Sequence, residues 1–125
     1  MNNPIQTPNA PAAIGPYSQA MQAGNLLFVS GQIPIDPATG AFAGEDIATQ
    51  ARQSLTNVKA ILEAAGYTCA DVVKTTVLLA NMEDFATVNG IFAEFFTAPC
   101  PARACFAVME LPKGAVVEIE AIACN

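Results

Sequence analysis

The sequence predicts an α+β domain in which a single mixed β-sheet carries two helices on one face. Two amphipathic helical stripes and five β-patterned segments alternate in the order β-β-α-β-α-β-β. This order contains two strand–helix–strand crossovers, and because such crossovers are strongly right-handed, both helices should cover the same side of the sheet. The 125 residues, 53% of them apolar, suit a single domain over residues 1–125 with a filled core.

The first predicted elements are a β-hairpin and a long helix. Strands over residues 18–23 and 26–30 flank the pair Gly24-Asn25, which is typical of a tight hairpin turn. The helix is indicated by apolar residues at three- and four-residue steps between 47 and 65. Asp46 directly precedes this stripe, so we expect its carboxylate to cap the N-terminus of the helix.

The second half of the chain predicts a strand, a helix and two further strands. Residues 72–80 are rich in β-branched side chains, which favours a strand. A helix is predicted over 82–96 with Asn81 as its N-cap, and strands follow at 103–109 and 116–123. Five side chains of this helix are expected to face inward: Phe85, Val88, Phe92, Phe95 and Phe96.

The sheet face opposite the helices should be bare within one chain. The strand at 72–80 is apolar at both alternations, apart from Lys74 and two threonines. An exposed apolar face of this kind usually packs against another copy of the same chain. The patterning therefore predicts an oligomer, without specifying the number of subunits.

The composition argues against nucleic-acid and membrane partners. The formal net charge is −6 and the five basic residues are scattered, so no basic patch is available for a phosphate backbone. Residues 1–16 lack the basic and apolar regions of a secretory signal, and no stretch approaches the roughly 20 apolar residues of a membrane span. We expect a cytoplasmic protein, or one of an organelle matrix, with reduced cysteines.

Histidine is absent from the chain, and this excludes several mechanisms. Ser-His-Asp and Cys-His catalysis require an imidazole, and most zinc sites use one. No CxxC or zinc-type spacing joins the four cysteines, Cys69, Cys100, Cys105 and Cys124. An enzyme built from this sequence must work with carboxylates, hydroxyls, a thiol, backbone groups and arginine, and the sequence implies no metal and no cofactor.

Arg103 and a strand of carboxylates form the candidate functional site. Arg103 is the only charged residue between 95 and 109, and a guanidinium is costly to surround with apolar residues unless an anion meets it. Glu118 and Glu120 share one face of the last predicted strand, and if the last two strands pair, one carboxylate comes near Arg103. Cys105 shares the face of Arg103. Two interpretations stay open here: a site for a small carboxylic acid, or a structural Arg–Glu ion pair between strands.

Six segments of the chain carry a family resemblance. They are AAIGPYSQA (12–20), VSGQIPIDPATG (29–40), QARQSLTNVKAILEAAG (50–66), VVKTTVLLANMEDFATVN (72–89), PARAC (101–105) and LPKGAVVEIEAIA (111–123). The most specific part is PARAC together with the later strand that contains Glu118 and Glu120. In the same order and over nearly the whole chain, these segments resemble the RidA/YjgF family of enamine/imine deaminases.

The resemblance implies a chorismate-mutase-like α+β fold and a homotrimer with sites in clefts between subunits. The implied reaction is hydrolysis of 2-iminopropanoate and 2-iminobutanoate to 2-oxo acids and ammonia. By the same resemblance, Arg103 binds the substrate carboxylate and Glu118 orients or activates the attacking water. Five further positions are implied to bind the substrate: Tyr17, Ser30, Gly31, Asn89 and Cys105, the last largely through its backbone.

Three alternatives accompany this interpretation. Related proteins have been described as translation inhibitors or ribonucleases, and a non-catalytic binder or chaperone would use the same clefts.

Cys105 beside Arg103 suggests a reactive thiolate, but a small buried side chain is the commoner role of cysteine and the one we favour. The loop at 97–101, which contains Cys100, is short by family standards, so the resemblance leaves the preferred substrate size and the redox role of Cys100 open.

Overall fold

The chain folds into one six-stranded sheet and two α-helices, as described for residues 1–125 by a computed structural model. The strands are β1 (Asn3–Ile5), β2 (Ala20–Ala23), β3 (Leu26–Gln32), β4 (Val72–Leu79), β5 (Ala102–Ala107) and β6 (Val117–Cys124). The helices are α1 (Ile47–Ala64) and α2 (Phe85–Phe95). The strand order across the sheet is β1-β2-β3-β6-β4-β5, and the mixed α+β fold predicted from the sequence is confirmed.

Both helices pack on the same face of the sheet. β3 and β4 each run antiparallel to β6, which lies between them, and β5 runs parallel to β4. The crossovers through α1 and α2 therefore join parallel strands, as predicted. Val77 and Ile119 are paired and fully buried under the helices, whereas their neighbours Leu78 and Glu118 point the other way. We call these two sides of the sheet the helix face and the open face.

α1 supplies much of the core. Its buried side carries Leu55, Ile61 and Leu62, which belong to a cluster of 22 buried apolar residues. The Asp46 carboxylate accepts a hydrogen bond from the backbone N–H of Thr49 at 3.0 Å, so the predicted N-cap is confirmed. Such a cap stabilises a helix by about 1 kcal/mol, which explains why the helix begins at this residue.

α2 is shorter than predicted and follows a separate turn. The Asn81 side chain accepts a hydrogen bond from the backbone N–H of Glu83 at 2.9 Å, and it therefore caps the 3₁₀ segment Met82–Asp84 instead of α2 itself. Phe92 is buried as predicted, whereas Phe85, which was expected to face inward, is 37% exposed. No helix of the chain is long and apolar enough to cross a membrane.

Two features of the sheet were not specified by the sequence pattern. The last two strands do not pair with each other, because β4 lies between β5 and β6 and pairs with both. The short strand β1 pairs with β2 at the edge of the sheet, and three residues that include a proline carry no strand pattern of their own. The choice of neighbours in a sheet depends on long-range contacts, which the period-two pattern of each strand does not specify.

The open face carries exposed apolar side chains, as the pattern of residues 72–80 predicted. Leu26, Phe28 and Phe106 are exposed by 38%, 43% and 48%. Their ladder partners, among them Leu78 and Ile122, place all three on the side away from the helices. The face is therefore an apolar surface that one chain does not cover.

Candidate active site

Arg103 lies on the helix face of β5, against two aromatic rings of α2. Its guanidinium carbon is 5.0 Å from the ring centroid of Phe92 and 5.5 Å from that of Phe85. At such distances the negative face of an aromatic ring attracts a guanidinium by about 0.5–2 kcal/mol. The two rings hold the Arg103 side chain in place and leave its charge intact.

Arg103 has no carboxylate partner within the chain. The salt bridge of the molecule joins Arg52 to Glu94 at 2.9 Å, across the solvent-exposed sides of α1 and α2. The structural Arg–Glu ion pair considered from the sequence is therefore wrong for a single chain, because β4 separates the two strands concerned. An unpaired guanidinium keeps its capacity to bind an anion, and its planar fork fits a carboxylate with two parallel hydrogen bonds.

Asn89 and Cys105 lie on the same side of the sheet as Arg103. In α2, Asn89 is four residues after Phe85 and three before Phe92, so the three share one face of the helix. Cys105 packs against the core, and burial raises the pKa of its thiol, although the positive charge of Arg103 opposes the shift. A protonated, half-buried thiol fits the favoured role of a small packing side chain. We call these five residues the arginine half-site.

The other predicted residues line a cleft at the open face. Its volume is about 590 Å³, enough for a small organic acid. Tyr17, Ser30, Gly31 and Glu118 all contribute to its wall, together with Glu120. We call the first four of these residues the carboxylate half-site.

The carboxyl group of Glu118 has a raised pKa. Partial burial disfavours the charged form, and the negative charge of Glu120 on the same face adds to the shift. No cation of the chain lies within salt-bridge distance of Glu118 to offset these effects. A carboxyl group with a raised pKa exchanges protons closer to neutral pH, which suits a group that activates water.

Ser30 and Gly31 form a β-bulge next to this carboxyl group. The register of β3 against β6 shifts between Val29 and Gln32, where β3 contains an extra residue. The Ser30 hydroxyl donates a hydrogen bond to the carbonyl of Ser18 at 2.6 Å. Because its proton is engaged there, the hydroxyl offers acceptor lone pairs to the cleft.

Gln19 helps to build the cleft, and sequence reasoning missed it. The side chain is 3% exposed, and its Nε2 donates to the carbonyls of Thr7, Ala10 and Pro11 while its Oε1 accepts from the N–H of Thr7 at 2.7 Å. These bonds fix the segment that leads to Tyr17 along the wall of the cleft. Gln19 lies in the segment predicted as a strand at 18–23, but β2 begins only at Ala20. A glutamine is usually exposed to solvent, so no sequence signal set this one apart.

The two half-sites are separated within one chain. Arg103 is opposite Thr75 on one flank of β4, whereas Glu118 is opposite Leu78 on the other flank. Arg103 and Glu118 are therefore separated by about 10 Å along the strands and by about 10 Å across the sheet. Their side chains point to opposite faces. The structure therefore assembles each half-site and does not bring the two together in a single chain.

Comparison with known proteins places the chain among homologues along nearly its whole length. The sequence pattern of the family described as Endoribonuclease L-PSP matches residues 7–125. The chain is 57% identical over 126 residues to a protein of Salmonella typhimurium (strain LT2) named 2-iminobutanoate/2-iminopropanoate deaminase, and the aligned region covers 98% of each protein.

Solved structures with the same fold share about half of the sequence. A crystal structure described as a putative endoribonuclease L-PSP from Entamoeba histolytica superposes with a TM-score of 0.97 and is 50% identical, with 100% of both chains covered. The crystal structure of the YjgF gene product from Escherichia coli gives a TM-score of 0.95 at 54% identity and covers 98% of each chain. At these identities the likeness extends beyond the fold to the family.

Proposed function

The chain belongs to the endoribonuclease L-PSP family, as its resemblance to RidA/YjgF proteins predicted, and we propose that it hydrolyses 2-imino acids. It is an imine-deaminating hydrolase, the class to which the name of the Salmonella relative points. The expected substrates are 2-iminopropanoate and 2-iminobutanoate, and the products are the matching 2-oxo acids and ammonia. The environments of Arg103 and Glu118 support this assignment.

The proposal rests mainly on one observation, which is that Arg103 has no anionic partner within the chain. Every 2-imino acid has a carboxylate next to its C=N bond, and Arg103 is a half-buried cation without an anionic partner in the chain. The rings of Phe85 and Phe92 fix its direction before a ligand arrives. A bidentate contact would therefore orient the substrate at a small entropic cost.

A complete site requires a second copy of the chain. Arg103 and Glu118 point to opposite faces of one sheet, so a substrate on Arg103 would meet the Glu118 of another subunit. The exposed apolar side chains of the open face favour such association. We propose a chorismate-mutase-like homotrimer in which each cleft combines the arginine half-site of one subunit with the carboxylate half-site of the next.

The size of the assembly is open to a direct test. Light scattering at micromolar concentration should give a mass about three times the 13.0 kDa of one chain. A mass of one chain would contradict both the trimer and the need for a shared site.

The reaction depends on positioning more than on covalent catalysis. The carbon of a protonated imine is electrophilic, so the oxygen of a water molecule can bond to it while Glu118 takes one proton from that water. Glu118 then passes this proton to the nitrogen, and the C–N bond breaks. The C=O bond of the 2-oxo acid forms as the hydroxyl group gives its proton to Glu118, which protonates the departing ammonia to ammonium. Every atom of the products comes from the imino acid and the water.

The remaining site residues would orient the substrate. Ser30, whose hydroxyl proton is bonded to Ser18, can accept a hydrogen bond from the N–H of the imine. We assign the hydroxyl of Tyr17 and the amide of Asn89 to the two walls of the shared cleft. Cys105 would contribute mainly through its backbone, because burial raises the pKa of its thiol.

The test is to add the purified protein to a pyridoxal-phosphate-dependent dehydratase that releases imino acids from serine or threonine. The expected result is a faster disappearance of the imine and a faster appearance of the 2-oxo acid. If the protein does not accelerate hydrolysis over solvent at any concentration, the proposed reaction is wrong. A protein that binds 2-oxo acids and leaves the imine lifetime unchanged would be a non-catalytic binder.

Ribonuclease activity is the second candidate, because the family description and the Entamoeba structure both carry the word endoribonuclease. The net charge of −6 and the absence of histidine count against it. RNA cleavage that persists in an Arg103→Ala variant, with binding that weakens as salt rises, would favour this function over imine hydrolysis.

A further inference from the structure

We propose that Gly31 is a positioning residue that sets the location of the Glu118 carboxylate. The inference builds on the proposed role of Glu118 in activating water. Gly31 does not need to be glycine for backbone reasons, because its φ lies outside the left-handed region that five other glycines of the chain occupy. The reason for a glycine must therefore be the space around it.

The side chain of Glu118 fills the space that a side chain at position 31 would take. A Cβ atom built there would overlap the Oε2 of Glu118 and would lie 2.9 Å from its Cδ and 3.2 Å from its Cγ. Two heavy atoms do not approach this closely without repulsion. Any residue larger than glycine would displace the carboxylate by about 1 Å or more.

The backbone at Gly31 is held firmly, so the carboxylate is the part that would move. The N–H of Ser30 donates to the carbonyl of Gln19 at 2.9 Å, and the Ser30 carbonyl accepts from the Nε2 of Gln32 at 3.0 Å. Both glutamines are at least 95% buried. These bonds fix the β-bulge from two sides, and the Glu118 side chain has no comparable restraint.

The charges around Glu118 and its burial together determine how such a displacement would change the pKa of its carboxyl group. Glu120 lies on the same strand, and Tyr17 and Lys113 line the same cleft. Lys74 lies on the open face of β4, and a second copy would add its own arginine. Burial is the largest cause of the raised pKa of Glu118, so moving the carboxylate toward solvent should lower that pKa.

The test compares Gly31→Ala with the wild-type protein in two measurements. NMR titration of the Glu118 side-chain carboxyl carbon should show a lower pKa in the variant. In the imine hydrolysis assay, kcat should fall by roughly 10- to 100-fold, because a 1 Å misplacement of a reacting group has effects of this size. KM should change by less than about threefold, since Arg103 still binds the substrate.

Gly90→Ala is the matched control. Gly90 lies in α2, and apart from its chain neighbours and the backbone of its own helix no atom lies within 4 Å of the position that a Cβ would take; its φ is outside the left-handed region. This variant adds the same methyl group and should leave the pKa of Glu118, kcat and KM unchanged.

A rescue experiment separates positioning from a general structural role. Combining Gly31→Ala with Glu118→Asp shortens the acidic side chain, so no atom remains at the Oε2 position and the overlap is reduced. The loss of kcat caused by Glu118→Asp should then be at least about threefold smaller in the Gly31→Ala background than in the wild type. Equal losses in both backgrounds would overturn the proposal.

If Gly31→Ala folds poorly, thermal unfolding provides a second test of whether Gly31 positions Glu118. The variant should lower Tm when Glu118 is present and leave Tm unchanged when Glu118 is replaced by alanine. An equal loss of Tm in both backgrounds, or an unchanged pKa of Glu118 in a folded Gly31→Ala variant, would overturn the positioning role. The titration and Tm measurements need no substrate, so they stand apart from any failure of the proposed reaction.

Discussion

The arginine and carboxylate half-sites hold their charged groups in different ways. Arg103 projects from a strand on the helix-covered side and rests on Phe85 and Phe92, the second of which belongs to the core. Glu118 rests on a β-bulge at the open face, beside a wall that Gln19 fixes. The guanidinium of Arg103 is positioned by side chains of α2 that also pack the fold. The carboxyl group of Glu118 is positioned by the irregular backbone of the β-bulge.

This difference implies separate roles for the two half-sites, with substrate binding at the arginine half-site and the chemical step at the carboxylate half-site. A cation fixed on aromatic rings is ready to bind an anion before the reaction begins, and its contact persists in both ground and transition states. In the proposed reaction the carboxyl group of Glu118, whose pKa is raised by burial, acts during the chemical step. Changes to the arginine half-site should therefore alter binding most, and changes to the carboxylate half-site should alter kcat and its pH dependence most.

The largest expected effect is that of Arg103→Ala. Removing the cation leaves the substrate carboxylate unpaired in a poorly solvated cleft, and kcat/KM should fall by about two to four orders of magnitude. Arg103→Lys should also lose much of the activity, because a point charge does not reproduce the two-pronged contact. Steady-state kinetics on dehydratase-generated imine gives the values.

The other arginine of the chain provides the control for this prediction. Arg52 pairs with Glu94 at an exposed surface, so Arg52→Ala should change kcat/KM by less than about twofold. Near-normal activity of Arg103→Ala, or its failure to fold, would mean that Arg103 has a structural role.

Glu118→Ala should have the next largest effect, mainly on kcat. The loss of a group that activates water costs about 10²-fold in typical enzymes, while KM should stay within a factor of about three. Glu120→Ala is the comparison, because Glu120 is an exposed neighbour on the same strand and should matter far less. A Glu118→Ala variant with raised KM and normal kcat would show that Glu118 binds the substrate, and it would contradict the separate roles of the two half-sites.

Phe85→Leu should have a smaller effect that appears mainly in KM. Leucine keeps an apolar contact and removes the ring face over which Arg103 lies, so the arginine loses part of its orientation. A cation–π contact of about 1 kcal/mol corresponds to a rise in KM of roughly fivefold. Phe85→Tyr keeps the ring and should behave like the wild type, whereas equal KM values for all three would show that packing alone positions Arg103.

The smallest expected effect is on stability and its dependence on pH. The pKa of Glu118 is raised in the folded state, so folding opposes ionisation and stability falls as pH rises from the unfolded pKa through the folded one. Glu118→Gln removes this ionisation and should raise Tm at pH 7 and leave it nearly unchanged at pH 3. A variant that is less stable at both values would show that the charged carboxylate makes favourable contacts.

Much of the fold was predictable from local patterns, whereas Tyr17, Ser30, Gly31 and Asn89 were predicted as site residues only through the family resemblance. The apolar stripe of α1 and its cap at Asp46 follow from residue spacing, and the structure confirms both. Strand alternation correctly placed Cys105 on the face of Arg103, because side chains alternate with period two whatever the neighbouring strands are. The same rule placed Glu118 and Glu120 together on the last strand.

The residue patterns did not predict how the two half-sites are placed relative to each other; only the family resemblance implied sites between subunits. Alternation within a strand says nothing about which strand lies beside it, and the position of β4 between β5 and β6 is what separates Arg103 from Glu118. The bulge at Ser30 depends on the β3–β6 register, and the burial of Gln19 depends on a segment that folds over it. These features come from long-range contacts.

Mixing two inactive variants tests most directly whether each site combines residues of two subunits. Arg103→Ala and Glu118→Ala chains are co-expressed, or unfolded and refolded together, so that subunits mix at random. About one quarter of the clefts would then pair an intact Arg103 with an intact Glu118, and activity should rise to roughly that fraction of the wild type. Mixing Arg103→Ala with the double variant provides no intact pair and should stay inactive. If the first mixture is no more active than its two components measured separately, the site does not lie between subunits.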